Sequence, residues 1–442
     1  MKFKPVICAA LASLLCISQT GCASPAPAKK QITLNIKTTP IGLGNIPGVG
    51  DAEVYDMLEA AADKFKAQYD KYDVTFEISR YFYLDEKEQL ADKYGTGEAA
   101  DIFYSGSWNL PTYVARGWMV PLDDIIDEEL RSDIDQKIWD QNTIDGKVYT
   151  MPFQQLQNTL MVNKKMMEEA GLEQYIPKGD TVAHWSTEEF ELILGKLQDS
   201  LEGNQFAFMM YAANNQGDSH IMTLLRSHGS TLYDENGKFA VNTPEGIRAL
   251  EWLKELDAQG ITPKGAENME LLDCMSLFNN SQLAICVGNL TNLWDAWNKG
   301  LDIFLVNFPS LDGNGYATSS TNGFCVFDNK DEDKIQAAKD FIRFIYSDED
   351  LMKYSLGTLP VNRSVTEAYK DEIRMLQAYG DNNGNVVDNI RNNLGWQGVR
   401  DVFYPNIQAL LLGSMTPSEA AFFIDESCNA ALEKGRAEAK GE

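Results

Sequence analysis

Between residues 32 and 104 the apolar residues change period repeatedly, which restricts the chain to folds that interleave strands with helices. "ITLNI" (32–36) alternates as a strand, and 51–72 sets Val54, Met57, Leu58, Ala61, Ala62, Phe65 and Tyr69 on one helical face. Val74, Phe76 and Ile78 alternate again, and Ile102-Phe103-Tyr104 is a continuous apolar run of the kind buried on both faces of a parallel sheet. Strand, helix, strand, strand at this spacing predicts α/β architecture. At 442 residues the chain exceeds what one core usually fills, so two α/β domains are expected.

Further along, "KVYTMPFQQLQNTLMVN" (147–163) reads as two strand-like pieces around Pro152, and 283–287, 302–306 and 323–327 are strand candidates. Helix starts are explicit. Ser186 and Glu189 make a capping box, with Trp185 and Phe190 as its hydrophobic staple. Thr243 is a cap followed by Pro244 at the first helical position, Gly260 ends that helix, and Thr416–Glu419 repeats the capping pattern.

Several function classes are excluded or disfavoured by composition. A formal charge of −27 opposes nucleic-acid binding, which needs a cationic surface. His184, His220 and His228 are the only histidines and form no metal-ligand spacing, so no metal or other cofactor is expected. "DENGK", "DGNG" and "DNNGN" are Asx/Gly turns without the glycine at position six that a calcium loop requires. "GLGNIPG" in the loop 39–50 carries Pro47 where a dinucleotide fingerprint has its last glycine, so it reads as a ligand-facing loop instead. Cys274, Cys286, Cys325 and Cys428 lie far apart, mostly in apolar runs, and read as buried free thiols.

The N-terminus reads as an export signal. Lys2 and Lys4 precede an apolar run, Val6 to Ile17, too short to span a membrane. "SQTGCAS" then resembles the bacterial lipoprotein cleavage box. That resemblance implies a signal peptide over 1–21, lipidation of Cys22 and a Pro/Ala tether over 22–31.

Segments spread along the rest of the chain resemble the sugar-binding type of extracellular solute-binding lipoproteins that serve bacterial ABC importers. They are "ADIFYSGSWNLPTYVARGWMVPLDD", "DGKVYTMPFQQLQNTLMVNKKMMEEAGL", "HWSTEEFELILGKL", "SLFNNSQLAICVGNL", "GTLPVNRS" and "LLLGSMTPSEA", in the family's order. The resemblance implies a type II periplasmic-binding-protein-like fold: two α/β lobes with interleaved crossings and a ligand cleft between them. The first lobe is expected over 31–147 and 308–356, the second over 148–307 and 357–442. It further implies an extracytoplasmic protein, anchored by lipid to the outer face of the cytoplasmic membrane. It would be a monomer that catalyses nothing, captures a carbohydrate by lobe closure and delivers it to the permease subunits.

Sugars suit aromatic platforms, because a pyranose has an apolar face and a hydroxyl rim. A stacked indole shielding about 100 Å² is worth roughly 2–3 kcal/mol. The rim then needs amide or hydroxyl partners. Ligands of open α/β sheets bind beyond the carboxyl ends of strands, which selects Trp108 and Tyr104 after Ile102, and Asn289 and Trp294 after 283–287. Gln155 and Asn158 occupy the expected crossing segment, Asn322 the return crossing, and Trp396 follows an Asn/Gly-rich loop. Trp185, Trp118 and Trp252 are better explained by packing. Alternatives are the same fold holding a peptide, an amine or a metal-carrying solute, or a secreted glycan hydrolase, whose paired carboxylates no motif here supplies.

Overall fold

The computed structural model describes residues 29–81, 86–106, 108 and 110–440. The expected signal peptide, Cys22 and the tether up to residue 28 lie outside the described residues.

Strands β1 (Gln31–Thr38), β2 (Asp73–Arg80), β3 (Ile102–Gly106), β4 (Met151–Asn163), β5 (Phe206–Phe208), β6 (Leu283–Gly288), β7 (Ile303–Val306), β8 (Ala317–Val326) and β9 (Leu359–Pro360) belong to one sheet. Among the described residues it has 11 strands, with the main path β5-β6-β4-β8-β3-β1-β2. β1 runs parallel to β2 and β3, and β5 runs parallel to β6. β4 is antiparallel to β6, β7, β8 and β9.

Helix α1 (Val54–Gln68) buries the face its spacing predicts: Val54, Met57, Leu58, Ala61, Ala62 and Phe65. It packs with β2 and a later helix (Glu332–Ser347), where Phe65 meets Phe341 edge-on at 5.3 Å. α2 (Leu110–Ala115) follows β3. In the second lobe, α3 (Thr187–Ser200) starts at the Ser186–Glu189 capping box, and Trp185 stacks on Phe190 at 6.3 Å. α4 (Asp218–Ser227), α5 (Pro244–Ala258), α6 (Leu271–Asn279) and α7 (Leu290–Asn298) come next in sequence. Two long helices, α8 (Trp396–Leu411) and α9 (Pro417–Lys440), pack on each other near the C-terminus.

β4 and β8 are shared by both lobes. At 13 residues β4 is one strand about 43 Å long, where the sequence suggested two pieces. Its Met151 and Phe153 lie in the first core with Ile36, Phe65 and Phe324, while Leu160 and Val162 lie in the second with Ile285, Phe190 and Phe403. Side chains alternate along a strand, so Met161 faces away from Leu160, into a third cluster with Cys286, Leu305, Phe278 and Leu293. Pro152 does not break the strand, because it sits at a register shift opposite Gly323 where the ladder is already interrupted. A Cβ on Gly323 would stand 2.1 Å from the Met151 carbonyl oxygen, so glycine is what lets the strands close there.

These placements shift the expected boundaries. Val148, Met151 and Phe153 belong to the first core, so β4 passes between lobes after residue 153, not at 148. Phe308 belongs to the second core, so the return is made within β8 and not at 308. A third passage lies between Met352, in the first core, and Leu356, in the third cluster.

Candidate functional site

The carboxyl ends of β3 and β6 both lead to the middle of β4 and β8. Asn322 of β8 lies opposite Gly106, the last residue of β3. Gly288, the last residue of β6, lies opposite Thr159 of β4. Between these ends, Leu156 faces Ser320 and Asn158 faces Thr318 across the β4–β8 pair, and Leu156, Asn158, Ser319 and Ser320 are only half-buried in an otherwise buried stretch.

At the second-lobe end a short amide chain forms. Asn289 caps α7 by accepting from the Thr291 and Asn292 backbone N–H groups at 3.1 and 3.3 Å. Its Nδ2 donates to Asn158 Oδ1 at 3.4 Å, and Asn158 Nδ2 donates to Thr318 Oγ1 at 3.3 Å. Asn158 shares a strand face with Leu160 and Val162, so it looks toward the side occupied by the second core.

Trp108 reaches that same side from the first lobe. It is partly buried and packs against the second core. Its ring folds back over Gly106, where a Cβ would lie 2.2 Å from Trp108 Cζ2, so the glycine makes room for the indole. The indole Nε1 is buried without a hydrogen-bond partner. An orphaned donor of this kind costs about 1–3 kcal/mol, which a ligand oxygen would relieve.

Trp108, Asn158 and Asn289 thus stand on the side of the sheet occupied by the second core. Asn322 is 5% exposed, at the Trp108 end.

Four expected site residues are placed elsewhere. Tyr104 is wholly buried against Phe153 and Phe324, and its hydroxyl donates to Gln154 Oε1 at 2.8 Å; burial raises its pKa well above the ordinary tyrosine value. Gln155 points to the Met161 face of β4, away from Asn158, and donates to Ser319 Oγ at 2.8 Å. Trp294 packs against the third cluster because it lies more than a turn beyond the Asn289 cap. Trp396 is 3% exposed in the second core, since Gly395 at φ 78° starts α8 at once and turns the ring inward.

The packing readings of the other tryptophans agree with their surroundings. Trp118 stacks on Tyr94 at 4.5 Å, and Trp252 lies 4.1 Å from the His228 ring.

Sequence reasoning missed a buried ion pair beside the loop that leaves β5. Arg400 Nε donates to Asp218 Oδ2 at 2.8 Å and Arg400 Nη2 to the Asn215 carbonyl at 2.8 Å. Their side chains are 12% and 4% exposed. Burial raises the Asp218 pKa, against the pull of Arg400. Two residues along α4, His220 lies flat on Phe308 at 6.1 Å and edge-on to Tyr211 at 5.9 Å, with Nδ1 unpartnered. Burial, with Arg400 adding, lowers its pKa from 6.5 to about 4. "NNQGDSH" after an apolar run was the available signal, but nothing local ties it to Arg400. Among the described residues no group of three His, Cys, Asp or Glu side chains is placed to hold a metal.

A model of the family described as bacterial extracellular solute-binding protein matches residues 60–378. A binding protein of Brucella abortus (strain 2308) is 21% identical over 316 residues, which is 71% of this chain and 74% of the relative. Among solved structures, a cyclic alpha-maltosyl-1,6-maltose binding protein from Arthrobacter globiformis superposes with a TM-score of 0.72 at 20% identity, covering 92% of this chain and 100% of the other. The sugar-binding protein MalE from Xanthomonas citri gives 0.74 at 15% identity, covering 93% and 100%. At such identities the structural likeness speaks for the fold.

Proposed function

The chain belongs to the bacterial extracellular solute-binding protein family, and on that premise we propose that its cleft captures a carbohydrate, of oligosaccharide size, and passes it to a membrane importer. Extracytoplasmic binding is the family's work; the sugar, the importer and the absence of turnover are the parts proposed. Closure of the two lobes around the ligand would be the functional event. The chain would act as a monomer, held to the membrane through lipid on Cys22. Growth with an alkyne-labelled fatty acid should label the wild-type protein, and labelling that persists in Cys22→Ala would remove the anchor from the proposal.

One observation carries the carbohydrate reading. A half-buried indole with an unpartnered Nε1 stands at a strand's carboxyl end, on the side of the sheet where Asn158, Asn289 and Thr318 form a polar chain. An aromatic face beside amide and hydroxyl groups matches the apolar face and hydroxyl rim of a pyranose. The solved neighbours that bind cyclic maltosyl-maltose or maltotetraose make α-glucans the first ligands to try.

The test is a thermal-shift panel of linear and cyclic gluco-oligosaccharides, set beside peptides and polyamines. A sugar at 100 times its Kd stabilises by about 2.7 kcal/mol and raises the melting temperature. A shift with a peptide or polyamine alone would overturn the reading. For the sugar that binds, Trp108→Ala should weaken affinity by roughly 2–3 kcal/mol, about 30- to 150-fold by calorimetry. Early melting with unchanged affinity would instead make the ring a packing residue.

A further inference from the structure

Cys274 lies on α6 and Cys286 on β6, and the two elements form a helix–strand hairpin turned at Ser281, whose φ is 54°. From Cys274 to the end of α6 is about 7–8 Å along the helix axis, and from the start of β6 to Cys286 is about 10 Å. The two residues therefore stand nearly abreast as α6 folds back along its strand. Both are 0% exposed, both belong to the cluster of Phe278, Leu283 and Met161, and their side chains interact thiol to thiol. Cys325 and Cys428 lie in two other clusters. The sequence showed only well-separated thiols; the fold brings two of them together.

We propose that Cys274 and Cys286 are a disulfide site, closed when the chain folds outside the cytoplasm, where oxidising conditions preserve such bonds. The oxidant is a disulfide, either of a thiol oxidoreductase or of a small thiol such as glutathione. One cysteine thiolate attacks the oxidant's disulfide and expels one thiol. The second cysteine then attacks the mixed disulfide and expels the other, so one S–S bond forms, two S–H bonds are lost and the oxidant leaves as two thiols. Burial holds the Cys286 thiol pKa well above its ordinary value, leaving little thiolate in the folded protein. The bond consequently forms while the hairpin assembles, before the core closes. Its place matters because β6 ends at Gly288 and hands the chain to Asn289, so the cross-link would fasten the strand that carries a cleft residue.

The full chain, unfolded in guanidinium chloride and refolded in a mixture of oxidised and reduced glutathione, tests this by peptide mapping without reduction. The expected product is a peptide joining residues 274 and 286, about 2 Da lighter than its two thiol halves, with Cys325 and Cys428 still open to alkylation in denaturant. A dithiol at 274 and 286 after such refolding overturns the proposal, as does a bridge from either residue to Cys325 or Cys428. Cys286→Ala leaves a small apolar side chain in the cluster. In that variant Cys274 should be fully alkylated in denaturant, and a 274-containing bridge to any other cysteine would count against the pairing.

Discussion

Arg400→Ala is expected to destabilise the protein by about 3–5 kcal/mol at neutral pH, the usual consequence of leaving one partner of a buried ion pair alone. Asp218 would keep only the short bond from the Ser219 N–H, at 2.5 Å, among the contacts described for its carboxylate. Arg400 also ties down the Asn215 carbonyl, so the loop into α4 loses its anchor in the same step. The size of the loss should depend on pH. With Arg400 present, the folded Asp218 pKa already stands above its ordinary value, and removing the guanidinium raises it further. A carboxyl with a raised folded pKa keeps its full contribution below the unfolded value and loses stability as pH rises through the folded one. The variant should therefore come closest to wild type near pH 4 and fall furthest behind above neutrality. Urea unfolding of both proteins at several pH values checks this. Asp218→Leu combined with Arg400→Met should recover most of the loss, since an apolar pair of similar volume leaves no charge stranded. An Arg400→Ala variant as stable as wild type at pH 8 would mean that water reaches the carboxylate.

His220→Phe should abolish a loss of stability that wild type suffers on mild acidification. The folded His220 pKa is lowered from 6.5 to about 4, so its contribution is complete above pH 6.5 and is lost as pH falls toward 4. At about 1.4 kcal/mol per pH unit, the loss approaches about 3 kcal/mol at pH 4. Asp218, nearby in α4, has its pKa moved up and acts in the opposite direction, which is why wild type must be compared with the variant and not with itself. Phenylalanine suits the position, between the flat face of Phe308 and the edge of Tyr211. Equal acid sensitivity in the two proteins would assign the loss to other groups.

The fold was legible where periodicity acts locally. The buried face of α1, the cap of α3 and the strands around Tyr104 all follow from residues a few positions apart. The position of Trp108 was legible for the same reason: it lies just past a strand with glycine in the turn, partly buried against the second core. Tyr104 was misjudged because a continuous apolar strand gives no sign of which residue the sheet will cover completely. Trp396 was misjudged because the polar run before it suggested a loop, whereas a single glycine at positive φ begins a helix there. Asp218 and Arg400 escaped notice because their pairing is tertiary: each alone resembles an ordinary surface charge. Pro152 was taken as a break because the register shift that accommodates it is set by Gly323, far along the chain.

The shared strands also fix an order of events during folding. One edge of β3 pairs with β1, but the other pairs with β8, so that edge stays open until residues 317–326 arrive. The second core is equally incomplete without Trp396, Phe403 and Ile407, close to the end of the chain. The first core therefore waits for residues up to Val361 and the second for residues up to Leu432, and the unpaired edge of β3 is a hazard for aggregation until β8 has been made. Contacts so distant in sequence slow folding. For a member of an extracellular family that delay is useful, because a chain whose cores close late is easier to thread across a membrane.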